Sequence, residues 1–330
     1  MSRQVTMADV ARETGVSLMT VSRIVNNKGN VSDETRQRVL QAIQELGYSP
    51  SQIARSLVTK QTGTLGLVVP DNANPFFSEV ARGVEHLAYA EGYNVFLCNT
   101  EEDAERELTV LQSLAEQRVD GLILVSSRLQ QEQLRTAVLP HPNVVLLNRM
   151  LDDDHQTKSL MIDDRRIGFI ATQHLIRSGH EAVAFLAGPQ SSHSGSNRLK
   201  GYRDALNEAD ISYADEWALY CSPTVDGGKQ AADQLLKSNP EVTALFCHND
   251  LVAVGALQTC AERGYRVPED IAVVGCDDIY LATLVTPPLT TIHIPKYEMG
   301  KRAIEILLDD EHGYDPVFIE STLVKRDSAP

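Results

Sequence analysis

No stretch of this sequence approaches the roughly 18 consecutive apolar residues that a membrane-spanning helix needs. The first ten residues, MSRQVTMADV, also lack the apolar centre of a secretory signal. The chain is therefore expected in the cytoplasm, with no membrane partner. Cysteine is sparse: Cys98, Cys221, Cys247, Cys260 and Cys276 form an odd set with no CxxC spacing, which argues against a disulfide framework and a zinc site. They read as reduced, mostly buried thiols. Catalytic signatures are missing as well. HEAVA at 180 has no second zinc histidine, GGKQ at 227 lacks the earlier glycine and the Ser/Thr of a phosphate-binding loop, and neither GxSxG nor GxGxxG occurs. Asp277 beside Asp278, or His248 near Asp250, could be drawn as acid and base. Without a motif around them, no enzyme, cofactor or metal is expected.

Positive charge is scarce overall, with 30 Lys+Arg against 45 Asp+Glu and a net charge of -15 at pH 7. Such a balance repels nucleic acid, but it is unevenly spread. Residues 1–60 hold eight Lys/Arg against five Asp/Glu, and the remainder holds 22 against 40. Only the amino-terminal piece suits a phosphate backbone. The 42% of apolar residues is ample for packed cores, and 330 residues suggest two or three domains.

Three short helices are legible in that basic piece. Thr6 serves as N-cap with Asp9 three residues on, and Gly15 ends the first helix. Ser17 caps a second helix that begins at Leu18 and is broken by Asn26, Asn27 and Gly29. Ser32 caps a third, with Val39, Ile43 and Leu46 at helical spacing and Gly47 as its stop. Two helices joined by a tight turn, with a third across them, is the helix-turn-helix plan. In the second helix Val21, Ile24 and Val25 share one face, and Met19 lies almost opposite beside Ser22, Arg23 and Asn26. A thioether facing outward among polar groups asks for a partner.

From Thr64 onward, apolar runs alternate with helix-like or turn-rich segments: TLGLVVP, YNVFLCN, GLILVSS, NVVLLN, AVAFLAG, TALFCHN and IAVVGCD. This alternation reads as α/β architecture with parallel sheets covered on both faces, and its length favours two doubly wound subdomains. Open sheets of this kind bind ligands at the carboxyl ends of their strands. DNANPFF at 71 follows the first strand, with Pro75 opening a helix capped by Asn74. Asn148 and Arg149 end a later strand, Arg198 lies in the turn before LKGYRDAL, Asn249 and Asp250 end TALFCHN, and Asp277 ends VVGC. Any one of these could be an ion pair or a cap; their repetition at strand ends points to a pocket. Two aromatic rings with amides and charges suit a sugar, which offers apolar C–H faces and hydroxyls. Asp250 is expected to cap the helix that follows.

The stretch MADVARETGVSLMTVSRIVNNKGNVSDETRQRVLQAIQELGYSPSQIARSL resembles the DNA-binding headpiece of the LacI/GalR family of bacterial repressors. NPFFSEVARGVE, RVDGLIL, HNDLVAVGAL, VVGCDD and TPPLTTIHIP extend the resemblance over essentially the whole chain. It implies a helix-turn-helix headpiece at 1–48 and a hinge helix and linker at 49–62. A periplasmic-binding-protein-like core follows, its N-subdomain at 63–162 with 294–321 crossing back and its C-subdomain at 163–293 with 322–330.

By the same resemblance, Leu18 and Met19 help to choose the operator. An exposed apolar side chain packs against a thymine methyl while Arg23 reaches guanine. Thr6, Ser17, Thr20, Ser22 and Asn26 would contact phosphates or helix ends, and Ala54, Arg55 and Leu57 would belong to the hinge helix, with Leu57 wedged into the minor groove. Taken alone, residues 49–63 read as a linker, and Val58 departs from the basic residue of the purine repressor.

In the core, the family's ribose-type sugar pattern implies that Phe76 and Phe77 stack on the ring. Asn74, Asn148, Arg149, Arg198, Asn249, Asp277 and His293 would bond its hydroxyls. Ser192 stands where the purine repressor has a basic contact, and Arg149 where its tryptophan is expected. The resemblance therefore implies a repressor of a pseudo-palindromic operator, controlled by a monosaccharide. A purine-like co-repressor or a protein partner of the catabolite-control kind is the alternative. A homodimer is implied, because two headpieces must span two half-sites; the terminal LVKRDSAP carries no leucine heptads of a tetramer tail.

Overall fold

The structure, a computed structural model, describes residues 5–25, 29, 31–48, 61–152 and 156–330. The chain divides into two compact units, Met1–Thr62 and Gly63–Pro330.

The smaller unit contains α1 (Met7–Thr14), α2 (Leu18–Val25) and α3 (Asp33–Leu46). Thr6 and Asp9 form a reciprocal capping box at the start of α1, and Gly15 ends it at φ +67°, a left-handed conformation that glycine adopts without a Cβ penalty. Ser17 caps α2, its Oγ accepting the Thr20 N–H at 3.1 Å. Ser32 does the same for α3. Val10, Val21, Ile24, Val39 and Ala42 meet in the middle of the three helices. Each helix is short enough to be marginal alone, so this shared apolar centre holds them together.

In the larger unit one sheet is built from β1 (Thr64–Val69), β2 (Asn94–Asn99), β3 (Gly121–Val125), β4 (Val144–Leu147), β5 (Thr157–Ile162) and β11 (Val317–Ile319). All its pairings are parallel, in the order β11-β5-β4-β3-β1-β2. A second parallel sheet has the order β7-β6-β8-β9, from β6 (Val183–Ala187), β7 (Ala218–Tyr220), β8 (Ala244–Cys247) and β9 (Ala272–Val274). A third element, β10 (Thr291–His293) antiparallel to β12 (Thr322–Val324), joins the returning segments. Strands β1, β3, β4, β6, β8 and β9 are buried along their whole length, which is why they read as continuous apolar runs.

The flanking helices are α4 (Pro75–Ala90), α5 (Ala104–Glu116), α6 (Gln131–Val138), α7 (Asp164–Arg177), α8 (His193–Glu208), α9 (Val225–Ser238), α10 (Asp250–Arg263) and α11 (Lys296–Leu308). They pair as α4 with α11, α7 with α8 and α9 with α10. At each crossing both helices present a glycine: Gly83 and Gly300, Gly168 and Gly201, Gly228 and Gly255. A Cβ at any of the six would overlap backbone of the partner helix. Among the described residues no helix is long and apolar enough to cross a membrane. All five cysteines are free, and no cluster of His, Cys, Asp and Glu suited to a metal occurs among the described residues.

Candidate DNA-contacting helix and effector cleft

On α2, Val21 and Ile24 are buried, whereas Leu18 and Met19 are 54% and 64% exposed. Arg23 is exposed on the same element and Ser22 and Thr20 are partly so. The helix therefore displays two apolar side chains and a guanidinium. Thr6 and Ser17 are occupied as caps, with Thr6 Oγ1 2.7 Å from Asp9 Oδ2 and Ser17 Oγ 2.9 Å from Thr20 Oγ1. Asn26, Ala54, Arg55 and Leu57 lie outside the described residues.

The larger unit holds a cleft with about 420 Å³ of unoccupied space, part of it open to solvent. Its walls come from strand ends of both sheets. From the first sheet come Asn74, Phe76 and Phe77 at the start of α4, Glu102 after β2, Ser126 and Arg128 after β3, and Asn148 after β4. The second sheet contributes Ser192, Ser194 and Arg198 at the start of α8, Pro223 after β7, His248 and Asn249 after β8, and Asp277 after β9. Four of these non-glycine residues have left-handed backbones: Glu102 (φ +61°), Ser126 (+49°), Asn148 (+54°) and Asp277 (+113°). Such conformations cost about 1–3 kcal/mol each and gather where a chain must aim side chains at a ligand.

Two charge systems face the cleft. Arg198 donates from Nε to Asp164 Oδ1 at 2.9 Å and lies 4.0 Å from Asp277 Oδ1. Its Nη1 donates to the His248 carbonyl. Burial opposes the guanidinium charge, but Cys276, Asp164 and Asp277 more than offset this, so its pKa stands above the ordinary value. Burial pushes the Asp277 carboxyl up to about 6, against the opposing pull of Arg198 and Lys296. On the other wall, Arg128 bonds Glu102 through Nε (2.5 Å) and Nη2 (3.1 Å), and Ser126 O through Nη1 (2.7 Å). Asn148 Nδ2 reaches Asp164 Oδ2 (2.9 Å) and Ser194 Oγ (2.8 Å), which ties the two sheets' strand ends together. Phe76 and Phe77 meet edge to face, with centroids 5.2 Å apart and planes at 89°.

The cleft thus brings together Asn74, Phe76, Phe77, Asn148, Arg198, Asn249 and Asp277, seven of the nine residues expected there. Asn74 and Asn249 are also N-caps, their Oδ1 atoms accepting from Phe76 N (3.0 Å) and Val252 N (2.9 Å). Two residues fall elsewhere. Arg149 turns away to the Leu129 carbonyl, 3.0 Å from its Nη2. His293 ends β10, where Ile292 takes the buried side and strand alternation sends the imidazole the other way, to Asp278 Oδ2 at 2.9 Å.

Two further corrections concern local structure. Arg198 is within α8 and not in a turn, because Ser192 already caps that helix by accepting the Gly195 N–H. Asp250 does not cap α10. Asn249 does, and the fully buried Asp250 carboxyl group accepts from Ile279 N (2.8 Å) and Thr291 Oγ1 (2.5 Å). It is thereby unavailable as an acid–base partner for His248. Glu102, Ser126, Arg128, Ser194 and His248 also line the cleft, although none was expected there. Their position within three residues of a strand end or at a helix start was the available signal.

Comparison with known proteins places this geometry. A family model described as periplasmic binding proteins and sugar binding domain of LacI family matches residues 62–327, and one described as bacterial regulatory proteins, lacI family, matches residues 6–51. The chain belongs to the LacI family. It is a DNA-binding transcriptional repressor of that family, as its relatives are, and not an enzyme. One relative, the HTH-type transcriptional repressor PurR of Aliivibrio fischeri, is 41% identical over 92% of this chain and 91% of its own. Among solved structures, a complex of the transcriptional regulator CelR with cellobiose is 34% identical, with a TM-score of 0.74 over 98% of this chain and 100% of that one. The lac repressor dimer bound to operator and the anti-inducer ONPF is 29% identical, with a TM-score of 0.87 over 99% of each chain. This LacI-family repressor therefore pairs an operator-reading headpiece with a core whose cleft is built from the ends of two parallel sheets.

Proposed function

We propose that this repressor works as a homodimer whose operator affinity is set by a monosaccharide bound in the cleft. The observation that carries this reading is the cleft's chemistry. Phe76 and Phe77 are the only Phe, Tyr or Trp side chains among its described lining residues, and they stand edge to face on one wall. Pro223, Arg198, Arg128 and hydroxyl or amide groups make up most of the rest. One apolar face with hydrogen-bonding groups around it suits a sugar ring, whereas a flat heterocycle gains most from aromatic surfaces on both faces. A relative in complex with cellobiose, a disaccharide, supports a saccharide as the ligand in the broader sense.

In this reading the sugar bridges the two sheets' strand ends and shifts the equilibrium between core arrangements. A coupling of about 1–3 kcal/mol would change operator affinity roughly 5- to 150-fold. Leu18, Met19 and Arg23 read base edges, and Ala54, Arg55 and Leu57 carry the coupling to the operator centre. A second reading, a purine co-repressor, is favoured by the 41% identity to PurR. Calorimetry separates the two. Heat from a pentose or a hexose is expected; heat from hypoxanthine or guanine alone would select the second reading and overturn the first.

A further inference from the structure

One side chain in the cleft lacks a partner that its burial calls for. His248 is held on the sheet by its backbone, its N–H donating to Leu186 O at 2.8 Å and its carbonyl accepting from Arg198. The imidazole lines the cleft at 6% residue exposure, yet its Nδ1 is buried without a hydrogen-bond partner. A buried polar atom in that state carries its desolvation cost uncompensated.

The ring also has a built seat. A Cβ on Gly188 would stand 2.6 Å from Cδ2, Cε1 and Nε2, so the ring face lies flat against that glycine. A Cβ on Gly195 would come within 3.5 Å of Cε1 and 3.6 Å of Nδ1. Residues following β6 and opening α8 thus leave room for an aromatic ring at this one place. Burial first, then Arg198 and Arg128, hold the imidazole well below the usual histidine range. It is therefore neutral, offering one donor and one acceptor. The two guanidiniums disfavour a cationic ligand group beside it, and Asp277 and Glu102 disfavour an anionic one. A hydroxyl, which both donates and accepts, fits.

We propose that His248 is a specificity-determining residue of the effector cleft, its imidazole hydrogen-bonding a hydroxyl of a polyhydroxylated ligand. This inference rests on the sugar reading given above. The test uses calorimetry on the full-length chain with D-ribose, D-glucose, D-galactose and cellobiose, and with monodeoxy forms of whichever binds. His248→Ala should weaken the binding sugar about tenfold, the scale of one hydrogen bond at a buried site. His248→Gln, which keeps a donor and an acceptor, should recover part of that loss. One monodeoxy sugar should lose about tenfold against the wild type and nothing further against His248→Ala. The ring 15N resonances of His248 in the wild-type protein, which need no variant, should move on saturation. Equal sugar affinities for wild type and His248→Ala, or unmoved ring resonances, would overturn the role of His248 and leave the sugar reading standing. A wild-type protein that binds none of the sugars would overturn both.

Discussion

Arg198 shows how much one residue carries. Its guanidinium is the positive charge facing two buried carboxyl groups, with side-chain exposures of 5% for the arginine, 1% for Asp164 and 8% for Asp277. Removing one member of a buried charge system typically costs about 3–5 kcal/mol, because the partners stay buried and uncompensated. Arg198→Ala should therefore lower the urea midpoint of the core and not merely abolish the ligand response; an unchanged midpoint would contradict this assignment. Asp277 gives a prediction in pH. Its carboxyl, pushed up to about 6, is ionised at pH 7.5 and increasingly protonated below pH 6. A sugar that donates to the ionised form binds more weakly as pH falls through about 6, and Asp277→Asn should remove most of that dependence when calorimetry is repeated at pH 7.5 and 5.5. Stability runs the other way. The folded carboxyl holds its proton to higher pH than the unfolded one, so this group's contribution declines as pH rises between about 4 and 6.

At the scale of elements, glycines on paired helices set the frame. Gly168 on α7 abuts the backbone carbonyl of Arg198 itself, so a Cβ there cannot be absorbed by a side-chain rotation. Gly168→Ala should destabilise the core by about 1–3 kcal/mol or more and weaken ligand binding together with it. Thermal unfolding and calorimetry on one variant check both, and a fully stable variant would show that the crossing relaxes freely. The buried central strands were legible because parallel strands covered on two faces are continuous apolar runs. Strand β5 was not, since TKSLMI carries Lys158, whose Nζ leaves the strand to bond the Ile306 (3.0 Å) and Asp309 (2.5 Å) carbonyls at the end of α11. Asn74, Asn148, Asn249 and Asp277 were legible because each directly follows an apolar run or caps a helix. Arg149 and His293 share that placement in the string, but side-chain direction depends on strand alternation and on the left-handed turn at Asn148, which spacing alone does not reveal. Glu102 and Arg128 were missed because they stand three residues past the ends of β2 and β3 and only the fold brings them together, whereas His248 directly follows β8 but was read as part of the run ending at Asn249.

Across the whole molecule, charge is divided along the chain: a basic headpiece precedes a strongly acidic core, with eight Lys/Arg against five Asp/Glu in residues 1–60 and 22 against 40 beyond. Only the headpiece can bind DNA favourably, and its phosphate contacts make affinity fall steeply with salt. Under the proposed function, ligand occupancy of the cleft and operator binding by the headpiece are one linked equilibrium. Fluorescence anisotropy of a labelled promoter fragment, titrated with full-length protein at low and moderate salt with and without the calorimetrically identified ligand, tests it directly. The expected result is salt-sensitive binding that the ligand changes roughly 5- to 150-fold in one direction, with a reciprocal change in ligand affinity when operator is present. Operator affinity indifferent to a ligand that saturates the cleft would contradict it.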